Sequence, residues 1–248
     1  MSRRSVLLSV AGVIVGSAVL GVDARAAQAA STRVPRWARR WHAPIYDLDD
    51  FLHRDPHAHY QKRSVLLTID DGPSSEWTPR YLRLLHKHHV QATFNMIGEQ
   101  VRPNRHLVRA VASQGHVIAN HTWTHDEALP YGTPEHVHRE IQQTNEAIHD
   151  VTGHRPTQFR APGGVWGPRV YDELARQQMM PVDWDIDPRD WAMPGVAAIE
   201  SAMLKAGRGD IILCHDGGGD RSQTYQALKK VIPELLHRGL NFVTLPSR

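Results

Sequence analysis

SVLLTIDDGP, residues 64–73, joins an apolar run without a break to two aspartates and a Gly-Pro pair. An Asp-Asp-Gly-Pro tetrapeptide is by itself more typical of a turn than of a functional site. Asp70, however, still belongs to the apolar run, and a carboxylate buried in a strand needs a partner. The stretch therefore predicts a buried strand that carries two candidate functional groups, Asp70 and Asp71, at its carboxyl end.

This run is the first of seven short apolar runs, which amphipathic stretches separate. The seven runs are residues 65–69, 92–97, 117–119, 157–159, 180–186, 211–214 and 242–245. Helical spacing occurs at 80–85 and 107–111 and is clearest at 133–153, where Thr133 is the predicted N-cap, Pro134 stands in the first turn and Gly153 ends the helix. This alternation predicts parallel strands, in an open sheet or a barrel, within one domain.

Polar residues follow the predicted strands at their carboxyl ends. Besides the two aspartates, they are Asn120, His121, Arg160, Asp187, Asp190 and His215. In parallel α/β barrels the functional side chains lie at this end of the strands. We therefore expect these groups to meet at one place.

His121 and His125 are candidate metal ligands. Two imidazoles four residues apart can face one point on a helical turn, and Asp71 would supply a third ligand while leaving positions open for water and substrate. The alternative is a pair of surface histidines in a chain that has 17. Taken alone, Arg160 is better explained as a surface arginine before a turn, and His215 as a buried core histidine.

In order and content these segments resemble the polysaccharide deacetylases, the carbohydrate esterase family 4 or NodB-homology group. The family motif Thr-Phe-Asp-Asp-Gly corresponds to residues 68–72, His-Ser/Thr-x-x-His to 121–125, Arg-x-x-Pro-Tyr or a close variant to 160–163, Asp-x-x-Asp-Trp to 187–191 and Leu-x-His to 213–215. The resemblance covers about residues 62–246. It implies an α/β fold, a distorted seven-stranded parallel (β/α) barrel similar to a TIM barrel.

The resemblance also implies the roles of the central residues. Asp71, His121 and His125 would bind a divalent metal, usually zinc and alternatively cobalt. Asp70 would be the general base that takes a proton from the metal-activated water. His215 would be the general acid that protonates the leaving amine.

Four more residues would support this chemistry, again by resemblance. Arg160 would hold Asp70 in its ionised state, and Asp190 would orient Arg160. The backbone N–H of Gly163 would donate to the tetrahedral oxyanion. Trp191 would line the pocket for the acetyl group.

The chain departs from the family pattern at two positions. Ile69 stands where the family has Phe, and it keeps the position apolar. Gly163 replaces an aromatic residue, so the backbone N–H is retained but an aromatic wall is lost. We expect Trp166 or Trp123 to fill the space, and the substrate preference stays open.

The N-terminus has the pattern of an export signal. Arg3 and Arg4 precede an apolar run at 6–22, and residues 27–29 read Ala-Gln-Ala, a small-x-small cleavage site. We expect 1–29 to be a signal peptide, 30–61 a leader that packs on the domain or stays loose, and 62–248 the catalytic NodB-homology domain. The arginine pair also fits a twin-arginine signal, and an uncleaved membrane anchor is a further alternative.

The composition is that of a folded protein that lacks disulfides. The hydrophobic fraction is 41%, the charged fraction 22%, and the net charge of +3 is too small to favour nucleic-acid binding. Cys214 is the only cysteine, so no internal disulfide can form. We expect a monomer with no stable protein partner.

The leading functional hypothesis is hydrolysis of N-acetyl groups on a β-1,4-linked N-acetylglucosamine polymer of the peptidoglycan or chitin type. Such polymers lie outside the cytoplasm, so we expect an extracellular or cell-wall location. An O-acetyl xylan esterase would use the same site and depend less on His215. A catalytically inactive sugar-binding relative is disfavoured because base, acid and metal ligands are all retained. A non-haem iron oxygenase would leave Asp70 and His215 without a role.

Overall fold

The computed structural model describes residues 40–247, in which the predicted apolar runs form one seven-stranded parallel sheet. The strands are β1 Ser64–Gly72, β2 Thr93–Met96, β3 Val117–Asn120, β4 Gln158–Phe159, β5 Met180–Pro181, β6 Ile211–His215 and β7 Asn241–Val243. Their order along the sheet is β5-β4-β3-β2-β1-β6, and β7 pairs with β1. Strand β1 is buried along almost its whole length, as expected of a parallel strand that is covered on both faces.

The two ends of this strand order are brought together by the segment that follows β5. Ile186 makes an isolated parallel bridge to Ile212 of β6. Because β5 and β6 are the terminal strands of the order, the bridge closes the sheet into a distorted barrel. The predicted distorted, TIM-barrel-like (β/α) fold is confirmed.

Helices surround the strands in the described part of the chain. They are α1 Leu48–Arg54, α2 Thr78–Lys87, α3 Gly98–Val101, α4 Arg105–Ser113, α5 Pro134–Thr152, α6 Pro168–Gln177, α7 Val196–Met203 and α8 Ser222–His237. Leu67 and Ile69 of β1 belong to the same buried apolar cluster as Leu85 of α2 and Leu235 of α8. Burial of these side chains between strand and helix is the main stabilising contribution to the barrel wall.

Helix α5 begins and ends where the sequence predicts. The side chain of Thr133 accepts a hydrogen bond from the backbone N–H of His136, and Pro134 is the first helical residue. Gly153 ends the helix in a left-handed conformation with φ 76°, a geometry that glycine adopts without steric cost. Both end signals are therefore confirmed.

The predicted strand at 180–186 is regular only at its first two residues. Beyond β5, Val182 bridges to Ile45 and Ile186 bridges to Ile212. The backbone N–H of Asp183 donates to Ile45 O at 2.7 Å. The segment pairs first with β4, then with Ile45 and finally with β6, so it forms no continuous ladder with one strand.

The described part of the predicted leader, residues 40–61, packs on the barrel. Trp41 and Phe51 stack with their ring centroids 5.9 Å apart. Both belong to a buried cluster that includes Leu66 and Ile211 of the sheet. The predicted signal peptide, 1–29, lies outside the described residues. Between residues 40 and 247, no helix is both long and apolar enough to cross a bilayer.

Candidate active site

The candidate residues meet at the carboxyl end of the barrel. Parallel pairing places Asp70 of β1 level with Asn95 of β2 and with His215 of β6. The loops that follow neighbouring strands open onto the same edge of the sheet. The residues that the structure brings to this edge are Asp70, Asp71, His121, His125, Arg160, Gly163, Asp190 and His215. Asp187 lies apart from them, since it is exposed and its carboxylate accepts from the backbone N–H of Arg189.

Asp71, His121 and His125 form a compact set of possible metal ligands. Asp71 Oδ1 lies 3.4 Å from His121 Nε2 and 3.3 Å from His125 Nε2. Metal bonds of about 2.0–2.2 Å in a tetrahedral arrangement separate ligand atoms by about 3.3–3.6 Å. Asp71 Oδ1 is also buried and accepts no hydrogen bond from the described residues. The donor set, its spacing and this unsatisfied oxygen all fit a divalent cation.

The surroundings prepare these side chains for a cation. His121 Nδ1 lies 2.9 Å from Arg160 O, and because a carbonyl oxygen can only accept, Nδ1 carries the proton and Nε2 faces Asp71. Burial alone would raise the pKa of Asp71, but contact with His121 and the charges of the neighbouring histidines lower it overall. Asp71 therefore remains a carboxylate, which is the ligand form.

The segment that carries the two histidines is a loop, so the prediction of a helical turn is wrong. Thr122 has φ 65° and His125 has φ 63°, which are left-handed values incompatible with a right-handed turn. Thr122 N–H donates to Asn120 Oδ1 at 2.8 Å, and His125 N–H donates to Thr122 Oγ1 at 3.0 Å. These short-range bonds turn both imidazoles toward Asp71.

Asp70 is held through one of its two carboxylate oxygens. Oδ1 accepts from Arg160 Nη1 at 2.9 Å and from Asn95 Nδ2 at 2.6 Å. Oδ2 faces the metal-ligand set, 3.7 Å from His121 Nε2. Arg160 is fully buried and also donates to Thr68 Oγ1 and to Asp183 O. The predicted pairing of Arg160 with Asp70 is present, and it leaves Oδ2 available for proton transfer.

Asp190 contacts His215 and does not contact Arg160, so the predicted orienting role of Asp190 toward Arg160 is wrong. Asp190 Oδ1 lies 2.7 Å from His215 Nδ1, and Oδ2 accepts from His215 N–H at 3.0 Å and from Thr224 Oγ1 at 2.9 Å. Burial alone would lower the pKa of His215, but its hydrogen bond to Asp190 and the surrounding aspartates raise it to about 9.

Gly163 and Trp191 follow Arg160 and Asp190, respectively, along the chain. Gly163 has φ 60°, and a Cβ added there would stand 3.2 Å from Glu127 Cδ. Glu127 thus occupies the space next to Gly163, whereas Trp166 is held by Asp183 Oδ2 and Trp123 lies against Gly98. The expectation that Trp166 or Trp123 would fill this space is wrong. Trp191 is half exposed, with the Arg189 guanidinium over its ring.

Two functional contacts came from residues that sequence reasoning missed. Asn95 donates a hydrogen bond to Asp70. The sequence feature that could have revealed this role is the presence of an amide side chain inside an apolar run. Glu140 binds the loop between the two histidines, and its signal was an acid one turn from Val137 on the buried face of a predicted helix. A polar side chain at a buried position needs a hydrogen-bond partner. For Asn95 and Glu140, these partners are Asp70 and the loop between the two histidines, which belong to the site.

Comparison with known proteins gives the same family. The family model described as polysaccharide deacetylase matches residues 57–182. A chitooligosaccharide deacetylase of Rhizobium leguminosarum bv. trifolii is 41% identical over 197 residues, which are 75% of this chain and 91% of the relative. A peptidoglycan-N-acetylglucosamine deacetylase of Bacillus cereus is 41% identical over 187 residues, covering 74% of this chain and 87% of the relative.

Solved structures agree with this result. A crystal structure of a peptidoglycan N-acetylglucosamine deacetylase superposes with a TM-score of 0.75 at 32% identity, and the match covers 85% of this chain and 94% of the neighbour. Fold, site and sequence similarity thus define a hydrolase barrel with a candidate metal-ligand set at its carboxyl end. The chain belongs to the polysaccharide deacetylase family.

Proposed function

We propose that this protein is a metal-dependent hydrolase that removes N-acetyl groups from β-1,4-linked N-acetylglucosamine units of a chitin- or peptidoglycan-type polymer. The relatives named above are deacetylases of these two substrate classes. The observation that carries the proposal is the position of Asp70 Oδ2, which faces the ligand set of Asp71, His121 and His125. A base beside a three-ligand metal set is what water activation requires.

The ligand set would hold Zn²⁺, with Co²⁺ as the alternative, and the cation would supply a Lewis acid and a source of hydroxide near neutral pH. Asp70 Oδ2 accepts the proton of the attacking water, because Oδ1 is already bound by Arg160 and Asn95. The N–H of Gly163 donates to the oxyanion that forms at the acetyl carbon. Trp191 lines the pocket for the acetyl methyl group.

His215 completes the reaction as the proton donor. Its pKa of about 9 keeps the imidazole protonated near neutral pH, and Asp190 fixes its Nδ1 so that Nε2 is the donating atom. The proton passes to the amide nitrogen as the C–N bond breaks. Water and the N-acetyl group are thereby converted into acetate and a free amine.

A substrate panel tests the proposal. Residues 30–248 would be loaded with zinc and incubated with chitooligosaccharide, peptidoglycan and acetylated xylan, and released acetate would be quantified. We expect release from an amino-sugar substrate, and we expect Asp70→Asn to lower the rate by about 10²–10⁴-fold while it still binds zinc. Release from xylan alone would replace the proposal with an O-acetyl esterase. A zinc-loaded protein that releases no acetate would support the inactive sugar-binding alternative.

We further propose that the chain is exported and acts at the cell wall or outside the cell. Two features support this: the arginine pair and apolar run of the N-terminus, and the extracytoplasmic location of such polymers. Mass spectrometry of the secreted protein should find a mature N-terminus at Ala30. A full-length protein retained in the membrane would instead favour an anchor.

A further inference from the structure

The loop between the two candidate metal-ligating histidines has a backbone that must be held in place. Thr122 and His125 both adopt left-handed conformations, which cost about 1–2 kcal/mol per residue for side chains with a Cβ. A ligand loop with such a backbone keeps its geometry only if the surrounding structure determines it. The contacts that hold residues 122–124 therefore determine how the imidazoles of His121 and His125 are oriented toward Asp71.

Glu140 of α5 supplies the largest group of these contacts. Its Oε2 accepts from the backbone N–H of Trp123 at 3.0 Å, from the backbone N–H of Thr124 at 2.9 Å and from Thr124 Oγ1 at 3.1 Å. Glu140 is only 5% exposed. One buried carboxylate oxygen thus binds three donors of the loop.

No ion pair accounts for the burial of Glu140 in the described part of the chain. Across residues 40–247, no lysine, arginine or histidine forms an ion pair with its carboxylate. A buried acid that lacks a cation is stabilised only by the hydrogen bonds made to it. For Glu140 the side-chain acceptor bonds all come from the metal-ligand loop, which links its burial to that loop alone.

A second buried glutamate offers a comparison. Glu173 of α6 is 1% exposed and also accepts several bonds, but its partners are His138, Arg176 and Gln177 on the helices. Glu140 and Glu173 therefore match in residue type, in burial and in accepting three side-chain hydrogen bonds. They differ in their partners, because Glu140 binds the loop between the two histidines and Glu173 binds side chains of the helices. Glu173 is therefore a control for the general effect of removing a buried acid.

We propose that Glu140 is a positioning residue of the metal centre, which aims His121 and His125 by binding the loop between them. The inference rests on the metal-ligand set of the proposed function but concerns metal binding rather than deacetylation. Residues that orient metal ligands from behind typically contribute about 10–100-fold to metal affinity. Glu140 acts from α5, outside the ligand set itself.

The test measures metal binding by purified residues 30–248. Zinc affinity would be determined by competition with a chelator, and the visible absorption of the Co²⁺-loaded protein would report ligand geometry. We expect Glu140→Ala to weaken zinc binding about 10–100-fold and to change the Co²⁺ spectrum. Glu173→Ala should lower the thermal midpoint without altering either metal readout. Glu140→Asp keeps the charge but withdraws it from the loop, so it should weaken zinc binding about 10-fold.

The outcomes separate this inference from the proposed function. Wild-type affinity and spectrum in Glu140→Ala would overturn it, as would an equal loss in Glu173→Ala. If Glu140→Ala does not fold, Glu140→Asp decides, and wild-type zinc binding in that variant would overturn the inference. Failure of the wild-type protein to bind zinc or cobalt would overturn the inference together with the metal centre. Metal binding without acetate release would contradict only the proposed deacetylation.

Discussion

Asp190 makes its hydrogen bonds to His215 and to the helix that follows it, and this pairing governs the expected alkaline limit of activity. Asp190 stabilises the protonated imidazole, because its carboxylate lies 2.7 Å from Nδ1. A raised pKa means that the proton is lost only as the pH approaches about 9. His215, the proposed general acid, would therefore be protonated throughout the neutral range.

We predict that Asp190→Asn moves the alkaline limb of kcat/KM to lower pH. Without the carboxylate, the pKa of His215 should fall toward its ordinary value of 6.5. The rate at pH 8 should then drop by about 10-fold or more, as expected for loss of a general acid. A pH–rate profile measures this, and Thr224→Val, which leaves the carboxylate in place, is the control. An unchanged alkaline limb in Asp190→Asn would contradict the assignment of His215 as the acid.

We predict that Gly163→Ala destabilises the fold. The left-handed φ of 60° costs an alanine about 1–2 kcal/mol, and its Cβ would stand 3.2 Å from Glu127 Cδ. The thermal midpoint should fall by about 2–4 °C for each kcal/mol. Gly207→Ala is the control, since a Cβ there meets nothing within 4 Å. Equal midpoints for the two variants would show that Gly163 is not under conformational constraint.

At the residue scale, motif order was enough to predict that Asp70, Asp71 and the two histidines lie together, because both segments follow a recognisable strand. It did not identify the partner of Asp190. Hydrogen-bond partners depend on how the segments that follow β4 and β5 are placed relative to β6, and a one-dimensional pattern does not contain that distance. The partner of Gly163 was missed for the same reason, since Glu127 reaches it from another loop.

At the scale of elements, α5 is the part of the fold that local chemistry specifies most completely. A Thr at the N-cap, Pro in the first turn, an apolar face and a terminal Gly all give the same bounds, and the structure has them. The 121–125 loop is the opposite case. Its conformation depends on acceptors in Asn120 and in α5, so spacing of the histidines alone wrongly favoured a helical turn.

We predict that Thr133→Ala lowers the free energy of unfolding by about 1 kcal/mol, because the N–H of His136 loses its capping acceptor. Urea denaturation of metal-free protein measures the change. Thr133→Ser keeps the oxygen and should remain close to wild type. If the alanine and serine variants are equally stable, the cap does not contribute.

At the scale of the whole molecule, the alternation of strands and helices was sufficient to predict a parallel sheet. It was not sufficient to predict the contacts that close the sheet into a barrel. The barrel closes through the isolated bridge between Ile186 and Ile212, at a segment without regular strand structure. The leader lacks any period, so the sequence left open whether it packs. In the structure Ile45 bridges to Val182, and α1 buries its apolar side chains on the sheet.

We predict that Phe51→Ala destabilises the whole domain by about 3–5 kcal/mol. Phe51 is 1% exposed, stacks on Trp41 and meets Tyr60 edge-on. Denaturant unfolding should show the loss as one transition with the barrel, whereas Phe51→Leu should cost much less. A loss below about 1 kcal/mol in Phe51→Ala would mean that the leader is not part of the cooperative core.

If the protein is a metal-dependent deacetylase, acetate release depends on bound metal, and this dependence can be measured directly. Protein stripped with a chelator would be titrated with zinc while acetate release from the best substrate of the panel is followed. We predict that activity is absent without metal, rises linearly and saturates at one zinc per chain, and that His125→Ala gives no such saturation. Full activity in the metal-free protein, or saturation unaffected by His125→Ala, would contradict it.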